Sequence, residues 1–396
     1  MSEAARDVCE LIWVLDAQFG PIDRLTRVLK RVGTVIDVTG LTPAAAAARI
    51  GAESPDGILA LSDTRLVWTA AVARELDLDF LSVETATALT DKSAQRAALA
   101  AGGVEVPDVW LISDPGARAA VDELAANATF PAILKPRSGE ASRDTVRVDS
   151  AEQLRAELAL VDGAREAPEP MILEGYLRDR SEKAGEAFAD YVSVESIVGG
   201  GVTTHLTITG RFPPAPPFRE SGFFMPSALN AADQEGVLAA ASAALRALGI
   251  HVGSVHTEVK LTPEGPRVIE VNGRIGGGVP EMLGAVSGFD LMRETLKLAL
   301  GGTAPARGPE LDRVGFLFYV QAPADMRTVT AVDGLDVLAA EPGVEEVILN
   351  RAPGDSVDWR EGNHGHVFSA RGVAGDHHEL QSIARQIPEL VAIHGT

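Results

Sequence analysis

The residues with the most chemical potential lie in one short stretch, 256–278. Its spacing predicts two β-strands, 256–261 and 267–272, joined by a turn rich in proline and glycine. Alternate side chains of a strand share a face, so we expect two carboxylates, an amide and an imidazole to meet on one side of this hairpin, with a cation just past its end. The set is His256, Glu258, Glu270, Asn272 and Arg274.

Carboxylates that converge in a partly buried site need a counter-charge, because like charges repel and desolvation adds to the cost. A hard divalent cation meets that need, and ligands that are all oxygen suit Mg²⁺ bridging to phosphates better than they suit zinc. Glu258, Glu270 and Asn272 are therefore candidate Mg²⁺ ligands. The alternative is an exposed hairpin whose acids face water, and these three residues alone do not decide between the two.

The turn after the second strand has the features of an anion site. Arg274 precedes three glycines at 276–278, and Pro280 then opens a predicted helix. Glycines let backbone N–H groups approach a ligand, and a helix N-terminus adds the positive end of a dipole. A flexible loop would explain the glycines but not the arginine before them. We therefore expect Arg274, Gly276 and Gly277 to contact an anionic substrate.

Composition indicates a globular protein and excludes several classes. The chain has 396 residues, enough for two or three domains, with 46% hydrophobic and 23% charged residues. Its net charge of -21 argues against a nucleic-acid surface, which needs clustered Lys and Arg. Cys9 is the only cysteine, which excludes an internal disulfide and a thiolate metal site. Without a signal-peptide pattern or an apolar run near the ~18 residues of a membrane span, the sequence predicts a cytoplasmic protein with no membrane or nucleic-acid partner.

The first part of the chain alternates predicted strands and helices, which is typical of a parallel sheet covered by helices. Strands are predicted at 11–15, 34–38 and 57–61, with a helix over 21–32. No Gly-x-Gly-x-x-Gly follows the first strand, so a dinucleotide-binding domain is not favoured. The turn at 18–21 is either a plain connection or part of a substrate pocket.

Two lysines lie at the ends of predicted elements farther along. Lys92 opens a helix that Thr90 or Asp91 can cap. Lys135 ends an apolar strand and is followed by the small-residue loop 138–142. Charge from a lysine and donors from backbone amides can cover a polyphosphate, although an ordinary hairpin turn has the same appearance.

Antiparallel strands and helices are predicted beyond this loop. The strands are 171–177, 191–198 and 202–209, followed by helices at about 231–248 and 288–300. The proline-rich stretch 211–227 shows no period and indicates a long ordered loop of the type that closes over a site. After a linker at 301–308, strands at 314–321, 344–349 and 366–370 and a helix at 376–386 form a small terminal module.

The histidines outside the central hairpin have no acid or cysteine at ligand spacing. His364 and His366 fall on a predicted strand, and His377 and His378 lie at a helix start, so we expect surface positions for all four. His256 is the one histidine that we place near substrate.

Taken together, these residues resemble the ATP-grasp superfamily and, within it, the carboxylate-amine ligases that include bacterial L-amino acid ligases. The motifs occur in that family's order and approximate spacing over residues 8–396, most clearly over 88–300. They are Lys92, Lys135 with its loop, residues 174–177, Glu258, Glu270, Asn272 and Arg274.

The resemblance implies an α/β (α+β) protein with the ATP-grasp fold. A parallel α/β domain would span residues 1–88. The ATP-grasp domain would span 89–305, with antiparallel sheets and a nucleotide-clamping part at about 125–200. A small C-terminal module at 306–396, also with antiparallel strands, would pack on this core.

The resemblance also implies residue roles. Lys92 and Lys135 correspond to nucleotide-binding lysines, Lys135 being catalytic as well, and only Gly139 remains of the usual glycines in the phosphate loop. The further residues implied in ATP binding are Ser138 and Ser142 in that loop, Glu174 and Leu177 at the adenine edge, and Asp190 at the ribose. Two Mg²⁺, for which Mn²⁺ can substitute, would be held by Glu258, Glu270 and Asn272. Arg274 would be catalytic and bind the acyl phosphate and its oxyanion.

The implied activity joins a small carboxylate, such as an amino acid, to an amine through an acyl phosphate, releasing ADP and phosphate. A carboxylate that attacks the γ-phosphate is repelled by its negative charge, and the metal ions and cationic side chains would offset this repulsion. Lids at 137–143 and 211–227 would exclude water. Alternatives are an ATP-grasp ligase that forms a phosphoribosyl amide or carboxylates a carrier, and a catalytically silent ATP-binding protein. Family members are often homodimers, so a homodimer is possible, but no sequence feature indicates an interface here.

Overall fold

The computed structural model describes residues 1–17, 23–163, 169–180 and 187–396. The turn at 18–21 lies outside the described residues. The helices are α1 (Asp23–Leu29), α2 (Pro43–Gly51), α3 (Asp63–Leu76), α4 (Val83–Thr90), α5 (Lys92–Ala101), α6 (Arg118–Asn127), α7 (Ala151–Gly163), α8 (Ala231–Ala247), α9 (Val279–Ser287), α10 (Leu291–Ala299), α11 (Leu335–Ala339) and α12 (His377–Leu390). The strands are β1 (Ile12–Leu15), β2 (Thr34–Asp37), β3 (Val109–Ile112), β4 (Ala132–Pro136), β5 (Val146–Val148), β6 (Met171–Gly175), β7 (Tyr191–Gly199), β8 (Val202–Arg211), β9 (Gly222–Met225), β10 (Gly253–Thr262), β11 (Gly265–Asn272), β12 (Val314–Gln321), β13 (Val329–Asp333), β14 (Val344–Leu349), β15 (His366–Ala374) and β16 (Ala392–Gly395).

The N-terminal part has a small parallel sheet, in which β1 pairs with β2. The predicted third strand at 57–61 is wrong for the residues that the structure describes, where this sheet has two strands. At this point the chain passes the end of α10 so closely that a Cβ on Gly57 would lie 2.1 Å from the Ala299 carbonyl oxygen. Leu61 is 46% exposed. The segment therefore packs along α10 instead of pairing with β1.

A second sheet has four antiparallel strands in the order β3-β6-β4-β5. Its apolar side chains pack on α6 and α7, where Leu134, Leu154, Leu158 and Leu173 are almost fully buried. Lys135 and Glu174 come from its two central strands, β4 and β6. The core of this sheet therefore fixes the backbone from which both charged side chains extend.

The largest sheet has eight antiparallel strands in the order β11-β10-β7-β8-β9-β12-β15-β14. The hairpin β10–β11 lies at one edge. Three strands of the predicted terminal module, β12, β15 and β14, continue the same sheet. The mixed α/β class, with a small parallel sheet followed by antiparallel sheets, is confirmed; the domain boundaries stay predictions.

The stretch predicted as a long loop at 211–227 contains a strand. Residues Gly222–Met225 form β9, which joins β8 to β12 in the large sheet. Phe223 and Phe224 are buried there, and Phe212 stacks on Phe318 with ring centroids 4.3 Å apart. The strand is only four residues long, too short to show a period, and its aromatic side chains fill the core.

In the described parts of the chain, no helix is long and apolar enough to cross a membrane.

Candidate active site

The hairpin β10–β11 brings the predicted polar residues into register. His256 is paired with Asn272, and Glu258 with Glu270. Directly opposed residues of antiparallel strands hold their Cβ atoms ~5 Å apart and on one face of the sheet. A bulge after Glu258 shifts the register beyond this point. The predicted juxtaposition of these four side chains is confirmed.

Lys92 connects this hairpin to the loop after β4. Its Nζ lies 3.2 Å from Glu270 Oε1 and donates to the Gly139 carbonyl at 2.8 Å. The lysine is the first residue of α5, whose N-cap, Asp91, accepts hydrogen bonds from the N–H groups of Ser93 and Ala94. The cap predicted at Asp91 is confirmed, and it fixes the helix end that presents Lys92 to the cavity.

Glu258 is ionised by its neighbours. Burial raises the pKa of its carboxyl, but the hydrogen bond from His256 and the positive charge of Arg211 outweigh burial and lower the pKa to about 2. Glu258 Oε1 lies 3.6 Å from His256 Nε2 and 4.0 Å from Arg211 Nη2. A carboxylate is therefore present here at neutral pH.

The donor set at this position fits magnesium. Glu258, Glu270 and Asn272 offer oxygen ligands only, which Mg²⁺ prefers, and each carboxylate also lies near a positive side chain. Within the described ranges, no group of three or more His, Cys, Asp or Glu side chains is arranged to hold a metal. A magnesium site here would therefore need the Asn272 amide and phosphate oxygens of a nucleotide, as is common for Mg²⁺. The assignment of these ligands stays a prediction.

Arg274 is held by an acid from the N-terminal part of the chain. Its Nε lies 2.6 Å from Asp63 Oδ2, and its Nη1 donates to the Ile275 carbonyl at 3.1 Å. Asp63 is the first residue of α3. No sequence feature singles out Asp63, because 211 positions separate it from Arg274.

Lys135 belongs to a buried cluster of three charges. Its Nζ lies 2.7 Å from Glu174 Oε2, and Arg96 Nε lies 2.9 Å from Glu174 Oε1. Burial raises the pKa of Glu174, but the charges of Lys135 and Arg96 outweigh it and lower the pKa to about 2. Burial lowers the pKa of Lys135, and the charge of Glu174 opposes this. The Glu174 carboxylate thus orients Lys135, while the adenine contacts expected of Glu174 and Leu177 stay predictions.

The phosphate loop adopts backbone conformations that favour glycine, although it is poor in glycine. Gly139, Ala141 and Ser142 have φ angles of 130°, 61° and 56°. The 3₁₀ segment Trp359–Gly365 braces this loop, because the Asn363 N–H donates to the Ala141 carbonyl at 2.8 Å. Gly362 fits closely beside it, and a Cβ there would lie 2.0 Å from the same carbonyl oxygen. The C-terminal part of the chain therefore supports a conformation that costs energy locally.

A buried ion pair lies beneath the hairpin and was missed from the sequence. His256 Nδ1 lies 2.9 Å from Glu195 Oε2. Burial lowers the pKa of His256, but the charge and hydrogen bonds of Glu195 outweigh it and raise the pKa to about 9. Arg211 Nη2 donates to Ser193 Oγ at 3.0 Å, and the Ser193 hydroxyl donates to Glu195 at 2.8 Å. The His256 ring is therefore part of a fully buried polar network.

One sequence feature could have revealed this network. Glu195 is the one charged residue of β7, a strand whose residues are almost all buried, and it pairs with His256 on β10. An ionisable residue in a buried apolar strand marks a functional or paired group. Gly276 also serves the pair, since a Cβ there would lie 2.7 Å from His256 Nδ1 and 3.2 Å from Glu195 Oε2.

These groups line one cavity of about 450 Å³. The predicted residues in its lining are Lys92, Lys135, Gly139, Ser142, His256, Glu258, Glu270, Asn272, Arg274 and Gly277. The predicted residues outside its lining are Ser138, Glu174, Leu177, Asp190 and Gly276. Residues that the sequence did not indicate also contribute to it, among them Glu195, Arg211, Glu220, Tyr319 and Asn363. The expected surface position is confirmed for His364, which is exposed, and is wrong for His366, which is half-buried. The 3₁₀ segment brings both into the cavity wall.

Comparison with known proteins identifies a protein family that matches the part of the chain around this cavity. Residues 128–281 match the ATP-grasp domain family. The chain contains an ATP-grasp domain. The matched range contains both the phosphate loop and the hairpin β10–β11, so the family assignment covers the central part of the candidate site.

Individual relatives of this ATP-grasp protein extend the comparison over most of the chain. The sequence is 28% identical over 349 residues to the uncharacterized protein y4rH of Sinorhizobium fredii, covering 85% of this chain and 64% of y4rH. It is 26% identical over 220 residues to alanine–anticapsin ligase of Bacillus amyloliquefaciens, covering 52% of this chain and 45% of that ligase. The chain thus spans less than two thirds of the length of both relatives.

Among solved structures, the L-amino acid ligase of Bacillus licheniformis is similar to this ATP-grasp protein in fold. The TM-score is 0.80 at 20% sequence identity, and the match covers 100% of this chain and 95% of the ligase. At that identity the likeness shows the shared fold alone.

Proposed function

We propose that this ATP-grasp protein is an ATP-dependent ligase that activates a small carboxylate as an acyl phosphate and couples it to an amine. The observation that carries the proposal is the pairing of Glu258 with Glu270 in a cavity that also contains Arg274 and Lys92. The similarity to alanine–anticapsin ligase favours amino acids as the substrate class. The products would be an amide, or a dipeptide when both substrates are amino acids, together with ADP and phosphate.

The charges that line the cavity suit this chemistry. ATP would supply the phosphoryl group, and Mg²⁺ held by Glu258, Glu270 and Asn272 would offset the repulsion between phosphate and carboxylate. Lys92 and Lys135 add fixed positive charge to the same cavity. Because these side chains are held before substrate arrives, little reorganisation is needed during the reaction.

Arg274 would stabilise the acyl group. Its contact with Asp63 fixes one edge of the guanidinium, and the residue lines the cavity. When an amine adds to the acyl carbon, negative charge develops on the former carbonyl oxygen, and a positioned cation lowers the energy of that state. Arg274 would therefore act in the amide-forming half of the reaction.

The loop braced by Asn363 would limit access of water. An acyl phosphate is hydrolysed when water reaches it, so a ligase gains from a covered site. The hydrogen bond from Asn363 to Ala141 joins two residues of the cavity wall on the side of this loop. The chain thereby supplies a cover from its own C-terminal part.

The proposal is tested by mixing the purified protein with Mg-ATP and panels of carboxylates and amines. We expect ADP and phosphate to form in step with an amide that mass spectrometry identifies. Hydroxylamine in place of the amine should trap the activated acid as a hydroxamate. Nucleotide binding without ADP or hydroxamate formation, over a broad panel of acids, would contradict ligation and favour a silent ATP-binding protein.

A further inference from the structure

We propose that His366 Nε2 accepts the proton of the attacking amine, and that Tyr319, Asn363 and His366 form the amine subsite on the C-terminal wall of the cavity. All three residues line the cavity that contains Glu258 and Arg274. The inference rests on the ligase function proposed above and adds to it a residue for the second half of the reaction.

The orientation of the His366 ring is fixed by its neighbours. Nδ1 lies 2.7 Å from the Asn363 carbonyl oxygen, which can only accept, so Nδ1 carries the proton of that hydrogen bond. The ring also packs against Tyr319, with ring centroids 4.8 Å apart. In a neutral ring with this tautomer, Nε2 has a free lone pair. Nε2 has no hydrogen bond to any residue in the described parts of the chain.

His366 is connected to both halves of the candidate site. Its partner Asn363 donates from its backbone N–H to Ala141 in the phosphate loop, and from Nδ2 to Glu220 Oε2 at 3.2 Å. Glu220 forms an ion pair with Arg211, whose Nη2 lies 4.0 Å from Glu258 Oε1. An acyl phosphate bound between the phosphate loop and Glu258 would therefore lie beside the wall that carries His366.

The surroundings of His366 keep it neutral. Burial lowers the pKa of its ring below the usual 6.5, the hydrogen bond to Asn363 opposes this, and the charges of Arg351 and His364 lower it further. The other titratable neighbour is Tyr319, whose own pKa is raised by burial. A neutral imidazole at pH 7 can take a proton, which a general base must do at the pH of the reaction.

The proposed step balances in atoms and charge. The amine arrives as an ammonium ion and gives one proton to His366 Nε2. Its lone pair then forms the C–N bond, and the bond between the acyl carbon and the phosphate oxygen breaks. The phosphate leaves with the electron pair and takes the second proton from nitrogen, while His366 returns the first proton to solvent.

The substitution His366→Gln tests the proposal through two nucleophiles. Amide formation from an amino acid needs a base, whereas hydroxylamine is largely unprotonated at neutral pH and does not. We expect amide formation to fall by about 10²-fold, the lower range for a lost general base, while hydroxamate formation and the ADP released with it are retained when hydroxylamine is the nucleophile. The matched control is His378→Gln, an exposed residue of α12, which should keep both activities.

A pH profile supplies a second measurement that does not depend on a variant. In the unmodified protein, amide formation should be nearly independent of pH between neutrality and the pKa of the amine. In His366→Gln, it should rise about tenfold per pH unit over the same range, since only free amine then reacts.

Three results would overturn the assignment. The first is an equal loss of amide and hydroxamate formation in a folded His366→Gln variant, and the second is no loss of either activity. The third is a rate of amide formation that rises tenfold per pH unit in the unmodified protein. If His366→Gln does not fold, the pH profile of amide formation by the unmodified protein tests the assignment alone. If the unmodified protein forms hydroxamate and amide but fails these tests, the ligase function stands and only the role of His366 is lost. Absence of hydroxamate from the unmodified protein would instead contradict the ligase function itself.

Discussion

Arg274 Nε lies 2.6 Å from Asp63 Oδ2, so the cation at the end of β11 is oriented by an acid at the start of α3. The contact joins the N-terminal part of the chain to the hairpin that carries Glu258 and Glu270. Both partners are largely shielded from solvent, with side-chain exposures of 19% for Arg274 and 13% for Asp63. An ion pair with this geometry and shielding restricts the arginine more than an exposed pair would.

Asp63→Asn should lower the rate of amide formation by about tenfold, because a charge-assisted hydrogen bond contributes roughly 1.5 kcal/mol or more to the orientation of Arg274. ATP binding should change little, since Lys92 and Lys135 do not contact Asp63. Steady-state kinetics with nucleotide titration checks both expectations. Asp79→Asn, which removes an exposed partner of His251, is the matched control and should be silent. An equal loss in both variants would contradict a specific role for Asp63.

Glu174→Gln should destabilise the protein by about 3 kcal/mol at neutral pH, because it leaves two buried cations without their carboxylate. The pKa of Glu174 falls from 4.5 to about 2 on folding. Its ion pairs therefore stabilise the fold fully above pH 4.5, and this contribution is lost as the pH falls toward 2. Denaturant titrations at several pH values should show a weaker pH dependence in the variant over that acidic range. Glu264→Gln, in an exposed pair with Arg178, is the control and should cost less than about 1 kcal/mol.

Gly362→Ala should raise the KM for ATP by about tenfold, because its Cβ would lie 2.0 Å from the Ala141 carbonyl oxygen and displace the phosphate loop, and small displacements at a site cost this much or more. The glycine also has a φ of 63°, which by itself strains any other residue. Gly354→Ala separates the two effects, since Gly354 has a φ of 97° and open space where its Cβ would be. The same increase in KM for both variants would show that backbone strain, and not the contact with Ala141, is responsible.

Removal of divalent cations should abolish ADP formation, and Mg²⁺ or Mn²⁺ should restore it, because the proposed reaction needs a cation to offset the repulsion between phosphate and carboxylate. Glu258→Gln should raise the Mg²⁺ concentration needed for half-maximal rate by about tenfold or more, the usual cost of a lost charge near a bound cation. The measurement is a Mg²⁺ titration at fixed ATP, with Glu264→Gln as the exposed control. Full activity in the presence of a chelator would contradict the site.

The hairpin was predicted well because its strands and turn depend on residues that are close together in the sequence. Alternation in 256–261 and 267–272 determines which side chains share a face, so the two carboxylates were expected on one side of the hairpin. The direct pairing of Glu258 with Glu270 depends in addition on the bulge after Glu258, which the sequence did not indicate. The cap at Asp91 was predicted for the same reason as the hairpin, since it depends on neighbouring residues only.

The rest of the site depends on contacts between distant parts of the chain. Asp63, Asn363 and His366 lie in the N-terminal and C-terminal parts, and no local pattern indicates that each contacts the central hairpin or the phosphate loop. Glu195 is different, since a single charged residue within a predicted strand was visible in the sequence. The strand wrongly predicted at 57–61 shows the reverse case, an apolar run that stays half-buried beside the end of α10 and pairs with no sheet.

The position of β12 limits how this protein can be divided. The strand pairs with β9 on one side and β15 on the other, so the last ninety or so residues are not an appendage that could be trimmed away. A chain that stopped before β12 would leave the backbone of β9 as a bare, aromatic edge open to pairing with other molecules, and its cavity would lack a wall. Recombinant fragments that end at the linker should therefore aggregate, and gain or loss of this region during evolution would have required rebuilding the sheet.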